Sequence, residues 1–446
     1  MNQGSSNYHK DLASTFLNQI WRVFSGPLML FCIPYFLSPE TQGYWYTFIS
    51  LAALSVLADL GFSNIVLQFS AHEFAFLQFN QNNQLKGNRE HLFRLADFFQ
   101  FSLKWLFKVI LIAFPLIMIG GYFFLSYKTT PDHPIYGWEN AWFLYSFFSA
   151  FVFMNSIVLS FFEGCNLVGK VQQIRFHIAV VTTLSMFVGL ISHLGLLALA
   201  LSNVFSSLAG IFFIIRNFKY PILQFLKIEK HNVYDWWPEF SALIWRYAIS
   251  WGSGFLVFQL FTPITFYFYG PTAAGKIGIS IAMWTAGYNI AISWIIAITP
   301  QMNILIAEKK WERLDYLFHN GLIKSLCTML CGGVIFFLIE YIFYPKVSFF
   351  QRIISPRGMM ILFLAWLLQV IINAMAIYLR AHKKEPLVKI SCINAIIVVV
   401  GTFICGKFLK PEFVFIGFFI GSLIQCPAVY HVFRTYKKCH QTYNGV

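Results

Sequence analysis

Residues 250–279 read SWGSGFLVFQLFTPITFYFYGPTAAGKIGI, and this stretch decides the fold. An apolar run holding Gly252, Gly254 and Pro263 stops at Gly270-Pro271, crosses a short polar link and turns apolar again at Ile277. The same punctuation occurs near the N-terminus. Phe36-Leu37-Ser38-Pro39-Glu40-Thr41-Gln42-Gly43 and Phe268-Tyr269-Gly270-Pro271-Thr272-Ala273-Ala274-Gly275 share the pattern F-x-x-P-x-x-x-G. One tight reversal, repeated between apolar spans in both halves of the chain, predicts a duplicated membrane bundle.

Composition sets the class. The chain is 58% hydrophobic and 19% aromatic, only 11% of it is charged, and its mean hydropathy is +0.64. A soluble domain carries about a quarter charged residues. Apolar runs of the length that crosses hydrocarbon as a helix, about 20 residues, recur throughout. No Arg-rich segment with a small-residue cleavage site precedes the first run, so no cleaved signal peptide is expected. The eight cysteines are scattered, mostly inside apolar runs, and read as small apolar residues. Cys327 and Cys331 lie one helical turn apart, but no His or acidic residue completes a metal set, and no metal or cofactor is expected.

The formal charge of +14 would suit a nucleic-acid binder, so its placement matters. Of the 32 Lys and Arg, 24 fall in segments facing one side of the membrane, 7 on the other, and Arg22 within a span. That asymmetry is the one cytoplasmic loops carry, and it accounts for the basicity without nucleic acid. Twelve spans are expected: 14–37, 44–69, 102–126, 140–162, 172–192, 195–215, 244–269, 277–299, 322–344, 358–379, 388–408 and 412–432. An even number puts both termini on the Lys/Arg-rich, cytoplasmic side. Only Ser192-His193-Leu194 separates the fifth and sixth spans. The longest outward link is about 127–139, too short to fold as a domain.

The expected organisation is an N-terminal six-helix lobe over 1–216, an inter-lobe cytoplasmic linker over 217–243, and a C-terminal six-helix lobe with a short tail over 244–446. Ile222, Leu223, Phe225, Leu226 and Ile228 alternate with Lys227, Glu229 and Lys230, predicting an amphipathic surface helix in the linker. Glu90–Leu95 and Trp311–Phe318 read as short amphipathic helices in corresponding places of the two halves.

Ionisable groups inside spans cost at least about 2.5–3.5 kcal/mol each and default to functional candidates. Arg22 and Asp59 stand about 15 residues to either side of the first reversal, hence about 22 Å from it on neighbouring helices and at matching depth. They form either a self-neutralising ion pair or a pair in which Arg22 lines a hydrated cavity and Asp59 holds it or acts as a gate or proton site. Arg suits phosphate because its planar fork donates twice and stays charged. Asn18, Gln19, Asn64 and Gln68 surround the pair; Arg246, Gln259, Asn289 and Asn303 are the counterparts in the second half. Arg246 reads equally as an interfacial anchor. Lys104 and Lys108 read as snorkelling cations, Gln369 and Asn373 as interhelical glue or a substrate contact, and Glu340 as interfacial. Gly26, Pro27, Pro34, Pro115, Gly252, Gly254 and Pro263 break or soften helices, and Gly26, Pro27, Gly254, Pro263 and Pro271 are the hinge candidates.

These residues support a family resemblance. Ile249-Ser250-Trp251-x-Ser253-Gly254, Phe258-Gln259-Leu260-Phe261-x-Pro263, Gly270-Pro271-x-x-Ala274-Gly275-x-x-Gly278, Pro300 and Ile306-Ala307-x-Lys309-x-Trp311-x-x-Leu314-Asp315-x-Leu317-Phe318 resemble bacterial O-antigen unit flippases. So do Trp21-Arg22, Ser25-Gly26-Pro27, Leu37-Ser38-Pro39-x-x-Gln42-Gly43-Tyr44-Trp45, Asp59-Leu60-Gly61-Phe62 and Gln68-Phe69-x-x-His72-Glu73. That family lies in the multidrug/oligosaccharidyl-lipid/polysaccharide exporter superfamily. The resemblance spans nearly the whole chain, with its specific motifs in 18–73 and 249–318. It implies an all-α polytopic transporter whose two six-helix lobes form a V around a cavity open alternately to each side. It also implies a cargo of oligosaccharide on undecaprenyl pyrophosphate, moved across the bacterial inner membrane, with membrane lipid, a polysaccharide polymerase and a chain-length regulator as partners. The chain departs from the pattern in its sparse intramembrane charges.

Three other functions compete. A polyprenyl-dependent glycosyltransferase or polymerase would need a large outward loop with catalytic residues, which the sequence lacks, so no enzyme is expected. A cation-coupled multidrug exporter would need acidic residues converging on the cavity. A lipid scramblase or a structural membrane component is also compatible with the sequence.

Overall fold

The computed structural model describes residues 2–59, 61–80, 84–127, 136–228, 234–344, 346–382 and 386–442; the side chains of 2–16, 22–23, 56, 242–243, 246–247, 250–251, 307 and 438–442 lie outside that description. Most of the longest expected outward link, 128–135, is likewise outside it. Sixteen α-helices follow in order among the described residues. The first eight are α1 (Asn2–Phe36), α2 (Pro39–Ala52), α3 (Ser55–Asp59), α4 (Phe62–Phe74), α5 (Arg89–Ser126), α6 (Trp138–Gly164), α7 (Val168–Ile191) and α8 (Leu196–Lys227). The others are α9 (Trp237–Gln259), α10 (Phe261–Tyr269), α11 (Pro271–Ala307), α12 (Trp311–Phe343), α13 (Ser348–Gln351), α14 (Pro356–Ala381), α15 (Val388–Phe408) and α16 (Ile416–Thr442).

Nine helical segments among the described residues are long and apolar enough to cross a bilayer: α5, α6, α7, α8, α11, α12, α14, α15 and the segment that includes α16. The pair α2–α3 and α4, bent by 42°, makes a tenth. The chain is a multi-pass membrane protein. The remaining two expected spans, 14–37 and 244–269, fall on α1 and on α9–α10, which include residues whose side chains are outside the description. The break at Ser192–Leu194 is a true reversal. His193 takes a left-handed φ of 54°, and the Leu194 amide reaches back to the Gly189 carbonyl at 3.0 Å, which closes the end of α7.

Three local expectations change. The helices expected at Glu90–Leu95 and Trp311–Phe318 are the first turns of α5 and α12, because no Pro separates either stretch from the span that follows it. The amphipathic stretch in 217–243 is the end of α8, continuous with the sixth span; Phe225 is fully buried against Phe99 and Phe161, while Leu223 and Leu226 stay exposed. A short antiparallel hairpin, β1 (Leu77–Phe79) with β2 (Leu85–Gly87), follows α4 and is not legible in the sequence. Gln224 on α8 both accepts from the Leu85 amide at 2.9 Å and donates to its carbonyl at 3.0 Å, so the hairpin edge is bonded to a side chain instead of water.

The chain divides into two compact units, Met1–Leu37 with Leu51–Gly252, and Ser38–Ser50 with Ser253–Val446. In the first, α4 and α5 pack on α6, α6 and α7 pack on α8, and α1 runs along α7. The second repeats that order with other elements. There α11 and α12 pack on α14, α14 and α15 pack on α16, and α10 packs on α15. Membrane helices gain nothing from hiding apolar surface from lipid, so close packing and polar bonds hold each bundle. Gly401 and Gly417 let α15 and α16 approach backbone to backbone. Gln369 on α14 donates to Ser422 Oγ on α16 at 3.0 Å, and Asn373 donates back to the Gln369 carbonyl, so this polar stripe is interhelical glue.

The two F-x-x-P-x-x-x-G copies meet inside the second unit. A Cβ on Gly43 would lie 1.9 Å from the Pro271 carbonyl oxygen, and one on Gly275 would lie 3.1 Å from the Pro39 carbonyl oxygen and 2.9 Å from the Gly43 nitrogen. The glycine of each copy thus faces the proline of the other. Gln42, 1% exposed, seals the crossing by donating to the Gly275 carbonyl at 2.9 Å. Gly270, at φ 82° and ψ −175°, holds a conformation open essentially to glycine alone, which lets α11 start at once on Pro271.

Candidate functional site

Polar side chains on three helices of the first unit form a connected chain. Asn18 of α1, 3% exposed, donates to Gln172 Oε1 of α7 at 2.9 Å. Gln172 in turn donates to Glu163 Oε1 at the end of α6, at 3.3 Å. The other carboxylate oxygen of Glu163 is 2.8 Å from Arg175 Nη2, one turn along α7. Trp21 meets Phe176 edge to face beside it, keeping α1 against α7 along this level. The Asn18 Oδ1 has no hydrogen-bond partner among the described residues. Position 22, one turn beyond Asn18 on α1, continues the same helix face. Glu163 also lines a cavity of about 720 Å³ with Leu67, Phe74, Gln78 and Asn166.

Of this chain, sequence reasoning marks only Asn18 as a site residue. Arg175 reads by charge as part of a cytoplasmic link, yet it lies in α7 beyond Gln172, inside the expected span 172–192. A charged residue within a span is the signal that finds it. Glu163, one residue past its expected span, carries a weaker one.

Asp59 has a local duty. Its Oδ1 accepts from the Ser63 amide at 3.1 Å and from Ser63 Oγ at 2.8 Å, capping the first turn of α4 beyond the break at Gly61. The side chains of Arg22 and Arg246 lie outside the described residues. Asn64 and Gln259 are half-buried, while Gln19, Gln68 and Asn289 are exposed. Lys104 and Lys108 are both exposed on α5. Glu340, read from sequence as interfacial, is 3% exposed on α12, and its Oε1 has no hydrogen-bond partner among the described residues.

Within the first unit, a second ionic cluster ties 234–236 to α4 and α5. Glu73, 2% exposed, bonds His91 at 2.8 Å and Arg94 at 3.2 Å. The Arg94 guanidinium stacks 4.6 Å from the Tyr234 ring and 5.7 Å from the Trp236 ring, and Trp236 donates to Asp97 at 3.0 Å. A buried carboxylate with two donors and a cation held over aromatic faces makes a fixed attachment point.

Neither a family model nor a curated protein matches the chain by sequence. Solved structures do match in fold. The lipid II flippase MurJ in an inward closed conformation aligns over 95% of this chain and 87% of its own, with a TM-score of 0.66 at 11% identity. An inward-facing multidrug resistance MATE family transporter of the MOP superfamily aligns over 97% and 98%, with 0.63 at 12%. The MATE multidrug transporter DinF-BH aligns over 95% and 94%, again with 0.63 at 12%. At such identities the likeness is one of fold, and the chain has the fold of these MOP-superfamily transporters.

Proposed function

We propose that the protein is a flippase that carries an undecaprenyl-pyrophosphate-linked oligosaccharide, an O-antigen unit or a similar surface-polysaccharide unit, from the cytoplasmic to the periplasmic leaflet of the inner membrane. The observation that carries this reading is a full-length fold likeness that includes a lipid II flippase. The motifs in 18–73 and 249–318, which resemble O-antigen unit flippases, direct it to that cargo. On this reading residues 1–216 and 244–446 are the two lobes, 217–243 joins them, and both termini are cytoplasmic, as the Lys/Arg asymmetry requires.

Arg22 then binds the pyrophosphate in the central cavity that the family resemblance implies, its planar fork taking two phosphate oxygens. The chain from Asn18 through Gln172 and Glu163 to Arg175 supports this role, because it fixes the α1 face one turn before Arg22 against α7. Cells deleted for the protein should accumulate lipid-linked oligosaccharide on the cytoplasmic leaflet and lose surface polysaccharide. Wild type should restore both, Arg22→Lys should restore them partly, and Arg22→Ala should fail at normal protein level. Near-normal polysaccharide from Arg22→Ala at that level refutes the role of Arg22. Unchanged polysaccharide in the deletion, with raised sensitivity to organic cations, would instead identify a multidrug exporter of the same fold.

A further inference from the structure

The second unit holds a cavity of about 230 Å³ where the two repeat motifs meet, lined by Pro39, Gln42, Thr272, Lys276, Gln351 and Arg352. It far exceeds the roughly 30 Å³ share of one water and falls below the about 300–1,000 Å³ of pockets for drug-sized ligands. Its size suits a headgroup or a small ester. Two of its six lining residues are cations. α2 and α11 both begin at its wall, at Pro39 and Pro271, so their N-terminal dipoles add positive potential. Burial disfavours the ionised form of Arg352, and the nearby Glu40 carboxylate opposes that effect. Glu40 also accepts from Thr272 Oγ1 at 3.2 Å, which holds it at the cavity as the counter-charge.

Gln42 supplies the independent observation. It is 1% exposed and lines the cavity, and its amide nitrogen is committed to the Gly275 carbonyl at 2.9 Å and the Arg352 carbonyl at 3.4 Å. Its Oε1 has no hydrogen-bond partner among the described residues. A buried acceptor left without a donor is costly, and an occupant whose hydroxyl reaches Oε1 as the Gln42 side chain turns toward the cavity would remove that cost. Two cationic donors beside one acceptor match an anion that also carries a hydroxyl.

We propose that this cavity binds a phosphate ester bearing a hydroxyl, with Lys276 and Arg352 on the phosphate oxygens and Gln42 Oε1 receiving the hydroxyl. A phosphoglycerol lipid headgroup and a soluble glycerol or sugar phosphate share that chemistry. The proposal does not depend on the cargo assigned above, because it concerns the reversal itself and is tested by binding alone.

The test uses purified full-length protein. Titration calorimetry in detergent with glycerol 3-phosphate, methyl phosphate and glycerol reads the soluble source. Thermal unfolding in nanodiscs of phosphatidylglycerol against phosphatidylcholine reads the lipid source. Glycerol 3-phosphate should bind tighter than methyl phosphate, and glycerol should not bind. Lys276→Gln and Arg352→Gln should each weaken binding about tenfold, while Arg352→Lys, which keeps the charge, should weaken it less. Stabilisation by phosphatidylglycerol alone, lost in the same variants, identifies a lipid headgroup and also supports the site. Three results overturn it: no response of the wild-type protein to either probe, responses that survive both Gln variants, or equal affinity for methyl phosphate and glycerol 3-phosphate.

Discussion

Gly43→Ala puts the repeat junction under direct strain. The new Cβ would sit 1.9 Å from the Pro271 carbonyl oxygen, whereas ordinary contact begins near 3.4 Å. The starts of α2 and α11 would have to part by about 1.5 Å, taking that ordinary contact as the end point. That movement stretches the 2.9 Å bond from Gln42 to the Gly275 carbonyl beyond hydrogen-bond range. Overpacking costs about 1–3 kcal/mol, and a buried amide and carbonyl losing each other add about 1–3 kcal/mol. Gly275→Ala meets its nearest atom at 2.9 Å and should cost less. Gly26→Ala is the reference, because its Cβ meets nothing within 4 Å among the described residues and alanine favours helix by about 1 kcal/mol. Unfolding temperatures of the purified proteins, read by tryptophan fluorescence, should therefore rank Gly26→Ala highest, then Gly275→Ala, then Gly43→Ala, the last several degrees below wild type. A Gly43→Ala protein that melts with the wild type refutes the close crossing.

Two further substitutions separate local duty from charge. Asp59→Ala removes both bonds to Ser63 and should lower stability by about 0.5–2 kcal/mol, whereas Asp59→Asn keeps an acceptor and should lower it by less; equal losses in thermal unfolding would mean that the charge of Asp59 matters more than its cap. Glu340→Gln should melt at or above the wild-type temperature, because it replaces a buried carboxylate with an uncharged group of the same shape. A fall of several degrees would show that the carboxylate serves an ionic partner.

The helices were legible because their cause is local: a long apolar run must satisfy its own backbone in lipid, and only Pro and Gly interrupt it. The reversals at Pro39 and Pro271 were legible for the same reason. What the sequence hid was covering. Glu340 reads as interfacial from its distance along α12, but which side of that helix faces its neighbours depends on residues far away in the chain. Ile222 to Ile228 looks amphipathic either way, and only the placement of Phe99 and Phe161 shows that protein takes Phe225 while Leu223 and Leu226 stay exposed. The link from Glu163 to Arg175 joins two helices across a turn, so its parts fall on either side of any span boundary drawn from hydropathy. Asp59 was legible as costly but not as a cap, since capping depends on the break at Gly61 that separates α3 from α4.

The repeat motif carries more than duplication. A pattern repeated in two halves needs no contact between its copies, yet here the glycine of each copy lies against the proline of the other. Such a reciprocal arrangement is the signature of self-complementary packing, in which one surface serves as both partners. It explains why proline and glycine stand four residues apart in both copies. That spacing puts them one turn apart on one helix face, so the first carbonyl of each helix meets the glycine of the other. A larger residue in either copy strains a crossing that both copies build. Gln42 has no counterpart, since Ala274 stands in its place in the second copy. That asymmetry puts a single buried acceptor at the cavity wall, on the one side where Arg352 also stands.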